Sequence, residues 1–429
     1  MEVSMSAEVP HYFLCPISLD VMRDPVTLAT GITYDRASIE RWLFSDDKGT
    51  CPVTRRALAP EEREATPNHT LRRLIQAWCA AHQVERFPTP RPPLDSSRVA
   101  ALVDEGRTGS GRGEAAAVRE MRAAAAESER NRRCVEGTPG AVEFLASIVA
   151  RHFPPPNLKS PRRNLDAADD DDFVLDSPTM SSPADDALGL LVALKPSEKS
   201  LARVLDAQAD FLDTLTTVLR RPSYRSRTHG ILLLKLVASS TPPARLAAAR
   251  PDLVREVVRV VADRVSSKAV RAALHVLCRL CPWGRNRVKA VEAGAVPALV
   301  ELLLDEGGRR ATELAVVAVD HLCGCAEGRA ELVAHPAGLA VVAKKAGRVS
   351  PAATESAVRA LHAVARHSPI KAVLQEMLAV GVVAKLLLVL QVETGERARV
   401  RAKEMLRAHA RVWKDSPCLH ELLRATYPS

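Results

Sequence analysis

The sequence predicts a mainly α protein in which a small α+β domain precedes an α-solenoid. Three features of the chain predict this division. Residues 10–83, which follow a short tail over residues 1–9, combine alternating apolar segments with two helical patterns. Residues 84–99 are rich in proline, which is typical of a semi-rigid spacer. Over residues 100–429, apolar helical patterns recur about every 42 or 43 residues, the period of helical repeats that stack into a solenoid.

Composition and charge favour a soluble intracellular protein. At 429 residues the chain is long enough for about two or three domains, and its nine Cys, an odd number, indicate reduced thiols. No apolar run approaches the roughly 18 residues of a membrane span, and the N-terminus lacks an apolar signal core. We therefore expect a cytoplasmic protein that can also be nuclear. The net charge of +9 is dispersed and aromatic residues make up only 3%, which disfavours nucleic acid as a partner.

The first domain has recognisable strand and helix signals. An alternating apolar run over residues 25–32 predicts a β-hairpin. Asp35 is the expected N-cap of a helix over residues 36–45, in which apolar side chains recur at spacings of three and four. Asn68 is expected to cap a second helix over residues 71–82. Two loops therefore flank one central helix.

Two Cys-Pro pairs, which begin at Cys15 and Cys51, lie in those loops. A double zinc site of the RING type needs about eight Cys or His ligands in two tetrahedral groups. The segment offers fewer candidates, at unsuitable spacing: His11, Cys15, Cys51, His69, Cys79 and His82. We therefore expect neither a metal site nor a cofactor, and a domain held together by hydrogen bonds and a small apolar core.

Residues 13–54 carry the most specific pattern in the chain, FLCPISLDVMRDPVTLATGITYDRASIERWLFSDDKGTCPVT. Two Cys-Pro loops, a Tyr-Asp-Arg helix start and a Trp within that helix occur here in one register. Over residues 10–82 the segment resembles the U-box, a zinc-free relative of the RING finger. The resemblance implies a RING-type ubiquitin transferase whose partner is a ubiquitin-conjugating enzyme loaded with ubiquitin.

Carried over by motif, the resemblance implies roles for single residues. Arg55, directly after CPVT, matches the position that hydrogen-bonds both the conjugating enzyme and its ubiquitin, so it is the expected allosteric activator. No covalent nucleophile is expected, because fixing the ubiquitin tail against its thioester favours attack. A covalent carrier role for Cys15 is disfavoured, since no base lies at an informative spacing. The expected conjugating-enzyme surface consists of Ile17, Trp42, Pro52, Cys15 and Val26.

The second part of the chain repeats one helical unit. In the fullest copy, residues 267–304, an Ala-rich helix is followed by a short helix, Gly294 and another apolar helix. The corresponding glycines in later copies are Gly338 and Gly381, and an upstream copy begins at Gly140. The apolar helices should start near Phe211, Leu253, Val296, Leu339 and Val382. This pattern resembles armadillo repeats, which implies a right-handed armadillo-type α-solenoid.

One spacing between repeats is longer than the others because residues 154–186 interrupt it. This segment is rich in Pro and Ser at both ends and has an acidic run, residues 169–172, in the middle. It cannot bury enough apolar surface to fold, so we expect a disordered insertion. Its Ser-Pro dipeptides are either plain turns or proline-directed phosphorylation sites, and they lie at Ser160, Ser177 and Ser182.

Four further cysteines lie in two pairs about one repeat apart. Cys278 with Cys281, and Cys323 with Cys325, stand at the ends of equivalent Ala-rich helices. The two pairs together have the composition of a four-thiolate zinc site. Packing of small apolar side chains against the next repeat is the better interpretation.

The resemblance to armadillo proteins implies a groove that is lined by the third helix of each repeat and holds protein substrates. These helices lack the Asn that recurs in peptide-binding armadillo proteins, which favours a folded or helical partner. The polar residues left for the groove are His275, Arg279, Asp320, His362 and Arg366.

The order of these parts is similar to that of plant U-box ligases of the stress- and immunity-associated group. We therefore expect a U-box ubiquitin-protein ligase, as a monomer or a homodimer. It would transfer ubiquitin to proteins recruited by the armadillo repeats, in plant stress or defence signalling. The alternative is a catalytically inactive armadillo scaffold or adaptor. A solenoid transport or nucleic-acid-binding protein is disfavoured by the scattered charge.

Overall fold

The computed structural model describes residues 9–45, 49–82, 94–109, 111–154, 182–305, 308–391 and 395–414. It divides into unit 1, residues 1–145 with 193–195, and unit 2, residues 146–192 with 196–429. Three sequence predictions fall wholly or largely outside the described residues: the N-terminal tail, the proline-rich spacer and the acidic insertion.

The predicted hairpin opens the first domain of unit 1. Strand β1, Pro25–Thr27, pairs antiparallel with β2, Thr33–Asp35, so that Val26 lies opposite Tyr34. A further strand, β3, Thr66–Pro67, pairs with the other edge of β1 and gives the order β2-β1-β3. Because β3 has only two residues, it has no apolar alternation by which the sequence could reveal it.

Both predicted helices of this domain form. Helix α1, Arg36–Glu40, continues as a π-helical turn, Arg41–Ser45. Helix α2, His69–Ala81, is capped as predicted, since the Asn68 side chain accepts a 3.0 Å hydrogen bond from the Leu71 N–H. The core beneath the helices contains Phe13, Val26, Tyr34, Ile39, Leu43 and Ile75. Two short 3₁₀ turns complete the domain, His11–Phe13 and Pro60–Arg63.

Asp35 is the N-cap residue of α1, as predicted, but its side chain makes no capping hydrogen bond. Its Oδ1 instead accepts hydrogen bonds from the backbone N–H groups of Arg23 and Asp24, at 2.8 and 2.9 Å. These donors lie 12 and 11 residues upstream. They compete for the Asp35 carboxylate with the first N–H groups of α1, and the local sequence does not show this competition. Asp35 therefore secures the loop before β1.

Unit 1 continues into three helices that pack on one another: α3, Ser96–Thr108; α4, Gly111–Glu127; and α5, Glu129–Gly137. The first domain contacts α5 directly. The Arg133 guanidinium lies 4.9 Å from the centre of the Phe44 ring and donates to the Phe44 carbonyl. Arg130 pairs with Glu64 at 2.9 Å. Because α3 begins at Ser96, the last residues assigned to the spacer are helical.

Helix α7 corrects the end of the predicted insertion. It spans Pro183–Leu194, so residues 183–186 are helical rather than disordered. The Ser182 hydroxyl accepts the Asp185 N–H at 3.1 Å, and Asp185 accepts a 2.8 Å bond from Arg221. This distant ion pair is not apparent from the composition of the segment. The flanking helices are α6, Ala141–His152, and α8, Glu198–Ala207.

Unit 2 is built from repeats of three helices. Its remaining helices are α9, Phe211–Arg220; α10, Tyr224–Ser240; α11, Pro243–Ala247; α12, Pro251–Ala262; α13, Ser267–Leu280; α14, Gly284–Glu292; α15, Ala295–Leu304; α16, Arg309–Leu322; α17, Ala326–Ala334; α18, Gly338–Lys345; α19, Pro351–His367; α20, Lys371–Ala379; α21, Val382–Gln391; α22, Glu396–Ala408; and α23, Ala410–Trp413. The predicted apolar helices are α9, α12, α15, α18 and α21, and each starts within two residues of the predicted position.

Helices of the same rank form layers in unit 2. The third helices α10, α13, α16, α19 and α22 pack each on the next, and we call them the third-helix layer. Gly294 caps α15 with a left-handed φ of 80°, which glycine adopts readily. Gly338 has a different role, because it is the first residue of α18 and a Cβ there would lie 2.0 Å from the Leu332 carbonyl oxygen.

Of the four paired cysteines, Cys281 and Cys323 are buried in the solenoid core as predicted, whereas Cys278 and Cys325 are only half-buried. Equivalent arginines fix the ends of their helices, since Arg287 donates to the Cys281 carbonyl at 2.8 Å and Arg329 to the Cys323 carbonyl at 3.0 Å.

Within the described part of the chain, no single helix is both long and apolar enough to span a membrane, and only the bent pair α20 and α21, at 65°, meets that test together.

Candidate functional site

The two Cys-Pro loops of the first domain have the same backbone construction. An isolated β-bridge closes each loop, between Leu14 and Val21 in the first and between Thr50 and Ala57 in the second. We call residues 14–21 the first Cys-Pro loop and residues 50–57 the second.

Inside each loop the chain makes one turn of the same kind. The Cys15 carbonyl accepts the Leu19 N–H at 2.8 Å, and the Cys51 carbonyl accepts the Arg55 N–H at 2.8 Å. Leu19 and Arg55 both have left-handed backbones, with φ of 60° and 57°. This conformation is uncommon for residues other than glycine, so its occurrence at matched positions shows that the two turns are equivalent.

Because the turns are equivalent, their side chains can be compared position by position. Ile17 corresponds to Val53, and Leu19 corresponds to Arg55. Leu19 is 73% exposed and Val53 is 51% exposed, although both are large apolar residues. Sequence reasoning missed these two, and the repeated order Cys-Pro, apolar residue, Ser or Thr is the signal that aligns them.

Trp42 joins the helix to the second Cys-Pro loop. It lies in the π-helical turn after α1, and its indole N–H donates to the Thr50 carbonyl at 2.8 Å. Trp42 and Ile17 both pack against the domain core and stay partly exposed. Pro52 in the second loop is also partly exposed. The arrangement therefore offers partly exposed apolar side chains on both loops and on the turn of helix that is bonded to one of them.

Cys15 and Val26 do not belong to this surface, which corrects their expected contact with a conjugating enzyme. Both are 0% exposed, so neither can touch another protein without unfolding of the domain. The Cys15 sulfur accepts the Asp35 N–H at 3.3 Å and so holds the loop against β2. Its burial is also a physical argument against a covalent carrier role.

Cys51 has a corresponding structural role in the second loop. Its sulfur lies 3.0 Å from the Tyr34 hydroxyl and 3.4 Å from the Thr30 hydroxyl. Burial raises the pKa of the Cys51 thiol, but hydrogen bonds from Thr30, Thr54 and Tyr34 outweigh burial and lower that pKa to about 6. The sulfur is 0% exposed, so this polarity holds the loop in place. Among the described residues, no three His, Cys, Asp or Glu side chains cluster as metal ligands.

Arg55 is exposed, and the turn fixes the backbone from which its side chain extends. No carboxylate in the described stretches is within ion-pair distance of its guanidinium, whereas the adjacent Arg56 is paired with Glu62. Among the described residues, Arg55 is thus exposed without an ion-pair partner, and Arg56 is held by its own domain.

The predicted groove residues divide into two classes. Arg279 and Arg366 are exposed, and His275 is half-buried on α13. Asp320 is only 5% exposed and accepts two bonds, of 2.8 and 2.7 Å, from Arg359 of the next repeat. Its place in the groove is therefore corrected, because it joins α16 to α19. The sequence could not show this pairing across repeats. The ring of His362 is likewise engaged, 3.2 Å from a carboxylate oxygen of Glu404.

Comparison with known proteins agrees with this geometry. Residues 9–84 match the U-box domain model, and residues 98–429 match the model of the plant U-box protein ARM repeat region. The chain belongs to the plant U-box proteins with armadillo repeats. It is 45% identical to the Arabidopsis thaliana E3 ubiquitin-protein ligase PUB23, over 98% of this chain and 97% of that protein. It is 44% identical to the Arabidopsis thaliana E3 ubiquitin-protein ligase PUB22, over 98% and 99%.

A designed armadillo repeat protein superposes with a TM-score of 0.44 at 15% identity, covering 62% of this plant U-box protein and 99% of the designed chain. The family placement confirms three predictions: a U-box at the front, armadillo repeats behind it, and membership of the RING-type ubiquitin transferases.

Proposed function

We propose that this plant U-box E3 ligase binds a ubiquitin-conjugating enzyme with its two Cys-Pro loops and with Trp42. It then promotes transfer of ubiquitin to proteins recruited by its armadillo repeats. The supporting observation is the matched construction of the loops, which exposes Leu19 and Val53 beside the partly exposed Ile17, Pro52 and Trp42. Exposed apolar groups on rigid turns are typical of protein-binding anchors.

The chemistry of the transfer follows from positioning. The three cysteines of this domain, Cys15, Cys51 and Cys79, are buried, so we propose that a thiol of this domain does not carry the ubiquitin. The thioester therefore stays on the conjugating enzyme until a substrate amine attacks it. In this proposal Arg55 holds the ubiquitin tail in the geometry for attack, which lowers the barrier without a nucleophile on this chain.

The test of this surface uses Leu19→Ala, with Leu74→Ala as the matched control. Leu74 is 51% exposed on α2, outside both loops. Removing the Leu19 anchor should weaken conjugating-enzyme binding by about 1–2 kcal/mol and reduce autoubiquitination, whereas the control should change neither. Binding is measured by titration and activity by chain formation. If Leu19→Ala and wild type were equal in both assays, the loops would not be the docking surface.

The same assay separates the ligase from its alternative, a catalytically inactive scaffold. A scaffold would show no autoubiquitination with any active conjugating enzyme. We further propose that the protein acts in plant stress or defence signalling, in the cytoplasm and also in the nucleus. The support is the similarity in domain order, and a fluorescent fusion imaged before and after elicitor treatment tests it.

A further inference from the structure

Positive charge is concentrated on two neighbouring helices of the third-helix layer. Helices α10 and α13 pack on each other and contain no acidic residue. Helices α16 and α19, by contrast, carry both signs of charge. The basic residues on α10 and α13 are Arg225, Arg227, Lys235, Lys268, Arg271 and Arg279.

Five of these cations have no carboxylate partner among the residues that the structure describes. The exception, Arg227, is buried and pairs with Asp263 at 2.7 Å. We call the other five the basic face, and all are exposed or half-buried: Arg225, Lys235, Lys268, Arg271 and Arg279. On α13 they recur at spacings that place them along one side of the helix. The Arg279 guanidinium also donates to the Ala238 carbonyl of α10 at 3.3 Å, which links the two helices.

Further along the same layer, several basic side chains are paired with acids. Arg359 is bound by Asp320, and Arg401 lies 3.7 Å from Glu355. Arg310, at the start of α16, pairs with Glu313. The absence of acidic residues from α10 and α13 is therefore a local property of the layer.

An open cavity extends the basic face toward α16. It has a volume of about 590 Å³ and lies between the first turns of α13 and α16. Its lining includes Arg271, Arg309 and Arg310, and its one carboxylate, Asp305, is paired with Arg264. Positive charge reaches across this region, since burial and the charges of Lys235 and Arg310 lower the pKa of His275. His275 on α13 is thus influenced by cations of both neighbouring helices, α10 and α16.

We propose that the basic face binds an acidic segment, rich in Asp and Glu, of a protein substrate. This inference deepens the proposed function, on which it rests, by assigning a chemistry to the recruited partner. Carboxylates would be attracted by the five cations and would accept their hydrogen bonds. A nucleic acid fits less well, because the two helices have one aromatic residue, Tyr224, and so no row of stacking platforms.

The experiment measures binding of labelled peptides to the full chain by fluorescence anisotropy. One peptide consists of Glu and Asp, and a second peptide of the same length consists of Gln and Asn. The variant is Lys235→Glu with Arg271→Glu. The matched control is Lys403→Glu with Arg407→Glu, which reverses two exposed charges on α22 of the same layer. Circular dichroism establishes that each variant is folded.

The wild type should bind the acidic peptide and not the neutral one, with affinity that falls as salt is added. Reversal of Lys235 and Arg271 should weaken this binding roughly tenfold or more, and the control should stay within about twofold of the wild type. Equal loss in both variants would reduce the effect to net charge and overturn the proposal. So would failure of the wild type to bind, or tighter binding of single-stranded nucleic acid that depends on the same two residues.

Failure here can be told apart from failure of the proposed function. Autoubiquitination by the wild type and its loss in Leu19→Ala report on the Cys-Pro loops alone. If those results hold while the acidic peptide does not bind, the ligase assignment stands and only the basic face is wrong.

Discussion

Leu19 and Arg55 occupy the same position in two copies of one turn, but their side chains differ in kind. Left-handed backbone at a non-glycine residue costs roughly 1–2 kcal/mol, so the bridges that close each loop must hold it in place. One loop thereby presents an apolar group and the other presents a cation. In the proposed function, this difference assigns docking to Leu19 and activation to Arg55.

Arg55→Ala separates these purposes. The substitution should leave the turn intact, since Arg and Ala share the same backbone constraint at a φ of 57°. Affinity for the uncharged conjugating enzyme should change by less than about threefold, while single-turnover discharge of the loaded enzyme should fall about tenfold or more. Affinity is measured by titration and discharge by transfer onto free lysine.

Arg73→Ala is the control for that prediction, because Arg73 is exposed on α2 and outside the loops. It should behave as the wild type in both assays. Equal losses of affinity and discharge in Arg55→Ala would make Arg55 a docking residue. Normal discharge would make it a surface charge without a role.

For single residues, the U-box motif identified more of the exposed loop positions than apolar spacing and capping patterns could. Ile17, Trp42, Pro52 and Arg55 were named from the motif and are at least partly exposed. Cys15 and Val26 were named with them but are buried, since Cys15 is bonded to the backbone of β2 and Val26 lies in the central strand β1. Leu19 was missed because the two Cys-Pro turns were not compared position by position.

Among the secondary-structure elements, those with a periodic sequence pattern were predictable. Those that depend on hydrogen bonds to distant residues were not. The predicted apolar helices start close to their expected residues, because the repeat period, the apolar spacing and the turn before each helix all indicate the same start. The cap of α2 was predicted from Asn68, whereas Asp35 was engaged by backbone donors upstream. The acidic start of α7 was assigned to disorder because its partner, Arg221, lies far along the chain.

Glu40, at the end of α1, makes a prediction about the pH dependence of stability. It is 5% exposed, and burial raises its pKa even though Arg36, Arg130 and Ser128 of α5's N-terminus favour the charged form. A carboxyl with a raised pKa stabilises the fold when protonated, and that contribution is lost as the pH rises through the raised value. Glu40→Gln should therefore unfold at a higher temperature than the wild type at about pH 8, and the difference should shrink toward about pH 5.

The measurement is thermal unfolding followed by circular dichroism at both pH values. Glu61→Gln is the control, because Glu61 is exposed on the Pro60–Arg63 turn. A Glu40→Gln variant that was less stable than the wild type at the higher pH would mean that the two arginines outweigh burial.

At the scale of the whole molecule, the order of domains was predictable but one contact between them was not. A proline-rich spacer suggested separation of the U-box from the helices that follow. Instead, Arg133 of α5 covers the Phe44 ring and Arg130 pairs with Glu64. Arg133 and Phe44 lie 89 residues apart in sequence, and no local pattern identifies such a pair. The U-box therefore packs with α5 in one unit.

This contact implies that unit 1 does not depend on an unbroken chain between its parts. A sequence-specific protease site introduced into residues 83–93 would cut between the U-box and α3. We expect the two fragments to stay together on size-exclusion chromatography, and Arg133→Ala with Arg130→Ala to let them separate. Immediate separation of the unsubstituted fragments would show that the contact is too weak to hold them.

Reassembly of fragments would in turn constrain how such ligases can be rebuilt. A U-box grafted from another protein would have to supply counterparts of Phe44 and Glu64. Without them it would be joined to α5 only through the linker. Exchange of U-box domains between such ligases would then succeed only where the contact residues of the U-box and of α5 are complementary. The side chains at that contact, rather than the length of the linker, would decide which chimaeras work.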